Sequence, residues 1–177
     1  TVLSRGLGDV YKRQIFDSAR KTFRNEIYSE YKANRSEAPD DLAPQFDYIR
    51  KSVLAFNLPS VELINYEADD LIATYTDKIL KEGAKVTIVS SDKDLMQLFK
   101  KNVRIYDPMK NKFISEEDVQ NKFGVDSSKV IDVQALAGDS SDNVPGVPGI
   151  GVKTAAELIN KYGNLETLLK SANEIKQ

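Results

Sequence analysis

The sequence predicts an α/β fold with a mainly parallel sheet flanked by helices. Short apolar runs that are typical of buried strands, such as residues 86–90, alternate with segments whose apolar residues recur at helical spacing. Alternation of this kind favours right-handed crossovers and parallel strands. Ligands of such sheets bind beyond the carboxyl ends of the strands, where this chain places many of its acidic residues.

Composition narrows the chemistry that the chain can perform. Its 177 residues can bury a sizeable core, as one domain or as one domain with a small subdomain. Cys and His are both absent, which excludes disulfides, thiol nucleophiles, imidazole bases and typical zinc sites. No long apolar run indicates a membrane span or a signal peptide, so we expect a soluble intracellular protein.

Residues 1–14 show no apolar periodicity, which is typical of a disordered tail or a non-native junction. Residues 15–16 then read as the end of a buried strand with Asp17 at its tip. The basic stretch that follows includes Arg24 and leads to residues spaced i, i+3, i+4 and i+7, which are Tyr28, Tyr31, Lys32 and Arg35. A helix there would present aromatic rings and cations to a single nucleic-acid strand, although a solvated surface helix explains the spacing equally well.

Two further helices follow from apolar spacing. Phe46, Ile49, Val53 and Phe56 predict a core-facing helix, and a short strand is expected at residues 61–64. The next helix buries Ala68, Leu71, Ile72, Tyr75 and Ile79, and Gly83 ends it. Its first turn holds Glu67, Asp69 and Asp70. Helix capping explains acids at this position, but three carboxylates so close repel each other unless a cation offsets them.

More acids follow at similar places. Asp92 and Asp94 come directly after the strand at residues 86–90, and another strand, at a sheet edge, is expected at residues 103–106. Residues 115–118 resemble a capping box, which we interpret as structural. A short apolar helix at residues 130–137 then leads to Asp139 and Asp142.

A Gly/Pro-rich hairpin precedes the last predicted helices. Gly149 and Gly151 would allow backbone N–H groups to approach a ligand, and Lys153 adds positive charge at the start of a helix. This combination suits binding of a DNA backbone without sequence readout, and a structural turn is the alternative.

The acids considered together indicate a metal site. Asp17, Glu67, Asp69, Asp70, Asp92, Asp94, Asp139 and Asp142 are all expected at one edge of the sheet. Oxygen ligands without His or Cys favour Mg²⁺ or Mn²⁺. Without these eight acids, the 25 basic residues face 19 acidic ones, a surplus of six positive charges that suits a phosphodiester substrate.

These motifs, in this order, resemble the 5′→3′ exonuclease domain of bacterial DNA polymerase I and the flap endonucleases. The resemblance covers residue 15 to the end of the chain, and it implies a PIN-like nuclease core at residues 15–124 with a helical arch. Residues 125–177 would form an incomplete helix–hairpin–helix subdomain, and residues 1–14 remain unmatched. It also implies a bacterial cytoplasmic protein, a monomer normally fused to a polymerase domain.

The resemblance assigns roles to the motif residues. The eight acids would hold two metals, one of which lowers the pKa of a bound water to make the nucleophile, so that no side chain acts as the base. Tyr31, Lys32 and Arg35 would belong to the arch, with Arg24 also at the DNA. The hairpin around Gly149, Gly151 and Lys153 would clamp phosphate, with a bound K⁺. The implied substrates are 5′ flaps, nicked duplexes and RNA primers on DNA.

The chain departs from the family pattern at both ends. A first strand that ends in a metal-binding Asp is absent, and the chain stops before the hairpin subdomain is complete, so we interpret the sequence as a fragment. Two other functions therefore stay open. One is a DNA-junction-binding fragment with impaired catalysis. The other is a PIN-type ribonuclease, for which the hairpin and the arch residues would be superfluous.

Overall fold

A six-stranded sheet forms the centre of the part of the chain that the structure describes. The structure is a computed structural model that describes the backbone of residues 2–6 and 9–174 and the side chains of residues 11–173. In sheet order the strands are β3 (Ser60–Val61), β2 (Asp9–Ile15), β1 (Val2–Gly6), β4 (Lys85–Val89), β5 (Val103–Asp107) and β6 (Lys112–Phe113). Strands β2 to β5 point the same way, whereas β1 and β6 run antiparallel to their neighbours. The predicted α/β fold, with most of its strands parallel, is confirmed.

The amino-terminal residues take part in this sheet. Strand β1 pairs with β2 on one side and with β4 on the other, and Asp9 begins β2. The interpretation of residues 1–14 as a disordered tail is therefore wrong for residues 2–6 and 9–14; residues 1, 7 and 8 lie outside the described residues. Backbone hydrogen bonds to two neighbouring strands stabilise a segment whose side chains show no periodicity. The hypothesis of a non-native junction stays a prediction.

The described residues form seven α-helices, some of which pack against the sheet and others of which follow it in the chain. They are α1 (Phe23–Ile27), α2 (Gln45–Ala55), α3 (Ala68–Lys81), α4 (Glu116–Phe123), α5 (Val130–Ala137), α6 (Val152–Tyr162) and α7 (Leu165–Lys170). Helix α3 packs against β1, β2 and β4, and α5 packs against α6. Among the described residues, no helix combines the length and the apolar character that crossing a bilayer would need.

The predicted buried elements are confirmed. Val86 and Ile88 of β4 are fully buried, and Ile105 of β5 is 1% exposed. Leu71 and Ile72 place one face of α3 in the same core. Strands that are buried on both faces of a sheet have continuous apolar runs, so they can be predicted from the sequence.

One helix prediction is wrong, and a second is right about the helix but wrong about its burial. Residues 29–34 form turns instead of a helix, and Lys32 adopts a left-handed backbone with φ 55°. Its N–H donates to the carbonyl of Asp142 at 2.8 Å, so a tertiary contact replaces helical hydrogen bonds. Helix α2 does form at the predicted place, but none of its residues is buried, and Phe46 is 49% exposed.

The sheet edges also differ from expectation. Strand β3 is limited to two residues, where residues 61–64 had been predicted. Strand β5 is not at an edge, since β6 pairs with it through Tyr106 and Phe113. The capping box is confirmed: Ser115 Oγ accepts from the N–H of Asp118 at 3.2 Å and starts α4.

Candidate active site

A cleft of about 370 Å³ lies beyond the carboxyl end of β4, between α3 and α5. Five of the eight predicted acids line it, namely Glu67, Asp69, Asp94, Asp139 and Asp142. Glu67 is the N-cap of α3 and Asp69 lies in its first turn. The 3₁₀ helix Lys93–Leu98, which follows β4, supplies Asp94, and the loop after α5 supplies the last two. The parallel strands thus bring together residues that lie far apart in the sequence, as the α/β fold predicts.

Asp69 carries the strongest sign of crowded negative charge. Burial first, and then the nearby carboxylates of Asp92 and Asp17, together raise the pKa of its carboxyl to about 6. Asp17 Oδ1 accepts from the N–H of Ala68 at 2.7 Å, which places it at the start of α3. Asp17, Asp69 and Asp92 therefore share one electrostatic environment.

Glu67 precedes the first turn of α3 and is buried, with 7% of its surface exposed. Lys32 Nζ lies 2.8 Å from Glu67 Oε1, and the hydroxyl of Tyr31 donates to Oε2 at 3.0 Å. Burial, followed by the charge of Glu67, raises the pKa of the Tyr31 hydroxyl well above its ordinary value. Tyr31 is therefore a hydrogen-bond donor at neutral pH, not a base.

Asp70 faces the other side of the same turn. Both of its carboxylate oxygens accept from the guanidinium of Arg24, each at 2.7 Å, and Oδ2 also accepts from the N–H of Glu67. The hydrogen bonds from Arg24 are the main reason that the pKa of Asp70 is lowered. A bidentate pair of this kind fixes α1 against α3.

The loop after β4 joins the cleft to α5. Asp92 accepts from the N–H of Asp94 at 2.9 Å and caps a 3₁₀ helix, Lys93–Leu98. Asp94 Oδ1 accepts from Gln134 Nε2 at 2.5 Å, and Lys93 pairs with both Asp94 and Asp139. These contacts connect the end of β4 to the helices that follow the sheet.

Asp139 and Asp142 occupy the loop that follows α5. Burial alone would raise the pKa of Asp139, but hydrogen bonds from Lys93 and Ser141 outweigh it and hold the pKa at about 2. Asp142 pairs with Arg35 and accepts from the Tyr31 hydroxyl at 3.2 Å. Asp139 is therefore ionised at neutral pH, and Asp142 faces the segment 28–35.

A second cavity, of about 600 Å³, adjoins the cleft and shares Glu67 with it. Its walls combine apolar side chains with the cations Arg20, Lys32, Arg35 and Arg50, and Asp17 lies at its boundary. Phe16, Phe46 and Ile49 supply the apolar surface. An elongated ligand with anionic groups and flat apolar groups would match this lining.

The predicted hairpin forms at a separate place. Gly149 has φ 80° in the turn, and Gly151 precedes the first residue of α6. A Cβ atom at either position would meet no other atom within 4 Å, so both backbones are open to a ligand. Lys153 lines a groove between α4 and α6 that contains none of the eight acids.

The acids alone do not form a finished metal site. Within the described part of the chain, no three acidic side chains are arranged to hold one ion as they stand. Protein cations contact five of the eight: Arg24 at Asp70, Lys32 at Glu67, Lys93 at Asp94 and Asp139, and Arg35 at Asp142. Nevertheless, the donor set contains only hard oxygen atoms, and burial followed by the charges of Asp92 and Asp17 raises the pKa of Asp69. Donors of this chemistry fit Mg²⁺ or Mn²⁺.

Several residues at the site escaped the sequence analysis. Gln134 is a polar side chain within the otherwise mostly apolar helix α5, where Asp132 is the other polar residue, and that contrast was a usable signal. Arg50 donates to the carbonyl of Asp17 at 3.0 Å and pairs with Glu62, but nothing in the spacing of α2 distinguished it from a surface cation.

Two family models together match nearly the whole chain. The model of the 5′-3′ exonuclease N-terminal resolvase-like domain matches residues 10–124. The model of the 5′-3′ exonuclease C-terminal SAM fold matches residues 125–177. The first of these covers five of the six described strands, from β2 onward and without β1, and the acids up to Asp94. The second covers α5, the hairpin and α6.

Individual relatives agree. DNA polymerase I of Rhizobium leguminosarum is 56% identical over 97% of this chain and 17% of its own length. The 5′-3′ exonuclease of Aquifex aeolicus is 45% identical over 89% of this chain and 54% of its own length. This chain thus spans about half, or much less, of these two relatives.

A solved structure shares the architecture. The bacteriophage T5 flap endonuclease, in a pseudo-enzyme–product complex with DNA and metal ions, has a TM-score of 0.78 and 26% identity to this chain. The match covers 90% of this chain and 63% of the phage protein. Together with the family models, these similarities establish that the chain belongs to the 5′-3′ exonuclease family.

Proposed function

We propose that this chain is the nuclease part of a 5′→3′ exonuclease and flap endonuclease, which hydrolyses phosphodiester bonds at 5′ ends or flaps of DNA with Mg²⁺ or Mn²⁺. The observation that carries the proposal is the cleft in which Glu67, Asp69, Asp94, Asp139 and Asp142 meet. Residues 15–124 would form the nuclease core, and residues 125–177 the DNA-binding subdomain. Relatives that are DNA polymerases support fusion to a polymerase in the bacterial cytoplasm.

The acids fit the binding of two divalent cations. Such cations supply Lewis acidity and an activated water for in-line attack on a phosphodiester. Asp17, Asp69 and Asp92 would hold one site, because the charges of Asp17 and Asp92 both act on the half-buried carboxyl of Asp69. Asp139 and Asp142, on the opposite wall, would contribute to the second.

The cations around the cleft have a separate task. Lys32 and Arg35 lie between the acids and the larger cavity, so their charges can stabilise the phosphate next to the scissile bond. Tyr31 donates a hydrogen bond at the same boundary. The apolar walls formed by Phe16, Phe46 and Ile49 would contact the bases of the 5′ strand.

Cleavage of a labelled 5′-flap duplex tests the proposal. We expect product with Mg²⁺ or Mn²⁺ and none with EDTA, and we expect an all-RNA single strand to remain intact. Binding of the flap without cleavage under any metal would instead support a DNA-junction-binding fragment. Cleavage of the RNA strand at a comparable rate would support a PIN-type ribonuclease.

Lys153→Ala is expected to weaken duplex binding about equally for all sequences, because a phosphate contact carries no sequence information. Loss of one such contact should also reduce the salt dependence of binding by about one unit of log–log slope. Anisotropy titrations at several salt concentrations measure both quantities. Lys161→Ala, which changes a cation at the other end of α6, serves as the control.

A loss confined to one duplex sequence would contradict the phosphate-clamp role of the hairpin. An equal loss in Lys161→Ala would show that only net charge matters. The K⁺ site at Gly149 and Gly151 stays a prediction, and titration of K⁺ against Na⁺ in the same assay addresses it.

A further inference from the structure

Asp107 is a buried carboxylate that the proposed chemistry does not use. It is the last residue of β5, and 2% of its surface is exposed. An ionised side chain is costly to bury unless hydrogen bonds or ion pairs compensate it. The contacts of Asp107 therefore indicate what the residue does.

Those contacts run in two directions. On one side, the hydroxyl of Ser91 donates to Asp107 Oδ1 at 2.7 Å. On the other side, the N–H groups of Met109 and Lys110 donate to the same oxygen at 3.0 and 3.3 Å, and Lys110 Nζ lies 3.3 Å from Oδ2. The pKa of Asp107 is lowered, with the hydrogen bond from Ser91 as the largest cause.

Ser91 directly precedes Asp92, so its position controls the acidic loop of residues 90–94. This loop is bonded internally, because Asp92 N–H donates to Ser90 Oγ at 3.1 Å and Asp94 N–H donates to Asp92 Oδ1 at 2.9 Å. Its attachment to β5 consists of the Ser90 N–H bond to the carbonyl of Tyr106 and the Ser91 bond to Asp107. Asp107 thus fastens the loop one residue before its first carboxylate.

We propose that Asp107 is a positioning residue, which through the hydroxyl of Ser91 holds Asp92 and Asp94 where divalent-cation binding requires them. The inference rests on the proposed function and extends it to a residue outside the cleft. Hydrogen bonds behind the ligating groups commonly change metal affinity by roughly 10- to 100-fold. The competing explanation is that Asp107 only stabilises the turn at residues 107–110.

Three variants separate the two explanations. Ser91→Ala removes the bond to the loop and leaves both turn N–H bonds to Asp107 in place. Lys110→Met removes the ion pair on the turn side and leaves the Ser91 bond intact; Lys110 is 63% exposed, so the change is tolerable for folding. Ser91→Thr keeps a hydroxyl and is the conservative variant.

We would measure three quantities. They are Mn²⁺ affinity by calorimetry of the full chain, hydrogen exchange of the amides in residues 92–94, and kcat and KM on a flap substrate. For Ser91→Ala we expect Mn²⁺ affinity to fall about 10-fold, with faster exchange in the loop and a lower kcat at similar KM. Lys110→Met should match the wild type in all three readouts, and Ser91→Thr should restore most of the affinity.

Unchanged Mn²⁺ affinity and loop exchange in Ser91→Ala would overturn the positioning role while the proposed function stands. Equal losses in Lys110→Met would overturn it in favour of the turn explanation. A wild-type chain that binds no Mn²⁺ would contradict the proposed function itself. Even then, unaltered loop exchange in Ser91→Ala would contradict the attachment independently of any metal.

Discussion

Asp69→Asn is expected to lower the rate of flap cleavage by about 100-fold or more while making the protein more stable in EDTA. The rate is expected to fall because Asp69 is one of the proposed ligands of the divalent cation, and groups that act as a unit show large losses when one is removed. Stability rises because the substitution removes a buried charge near Asp92 and Asp17. Cleavage kinetics and thermal melting measure the two effects on the same variant.

The gain in stability that Asp69→Asn is expected to give depends on pH in a definite direction. The pKa of Asp69 is about 6 in the folded protein against 3.8 for the ordinary side chain, so the folded state binds the proton more tightly. Stability from this group is present at low pH and is lost as the pH rises through about 6. We expect Asp69→Asn to gain about 2 to 3 kcal/mol at pH 7 and little at pH 4.

Asp77→Asn is the matched control for this experiment. Asp77 lies on the same helix, is exposed, and pairs with Lys81 one turn away. It should leave both cleavage and the response to Mn²⁺ unchanged. A destabilised Asp69→Asn at pH 7 would contradict the electrostatic description of the cleft, and full cleavage activity would exclude Asp69 as a ligand.

Gly146→Ala is expected to reduce the free energy of unfolding by about 3 kcal/mol or more. A Cβ atom at this position would overlap the carbonyl group of Ala137 and lie 2.6 Å from the nitrogen of Gly138. These are backbone atoms at the end of α5, which cannot move aside as a flexible side chain could. Chemical denaturation monitored by circular dichroism measures the loss.

Gly151→Ala controls for the effect of the methyl group itself. Its Cβ would meet nothing within 4 Å, and its φ of −90° suits any residue. We expect a change in stability below about 1 kcal/mol at this N-cap position. Similar losses in both variants would show that the close approach of Gly146 to α5 does not constrain the fold.

Local pattern was sufficient to predict the core elements and the identity of the acids. Val86 and Ile88 lie in an apolar run, and Leu71 and Ile72 lie at helical spacing, so burial of these residues follows from periodicity alone. The acids after β2 and β4 and at the start of α3 follow from the rule that parallel strands direct their carboxyl ends to one edge. The predicted resemblance to the 5′-3′ exonuclease family rests on the same local motifs, and the family models and relatives support it.

Contacts between segments that are distant in sequence could not be predicted from local sequence patterns. Residues 29–34 have the spacing of a helix, yet the bond from Lys32 N–H to Asp142 and the ion pairs of Lys32 and Arg35 stabilise turns instead. Helix α2 formed as its spacing predicts, but spacing does not state whether a partner surface exists, and its apolar face is exposed.

The sequence by itself determined the fold class, the buried strands and the acidic residues of the candidate site, because these depend on periodicity and residue chemistry within short segments. Only the tertiary structure decided which cation faces which acid, how Gln134 and Ser91 hold the acidic loop, and why Gly146 must lack a side chain. Each of these depends on atoms that are neighbours in space but distant in sequence. The energies of these contacts depend on distances between atoms that a local sequence pattern does not predict.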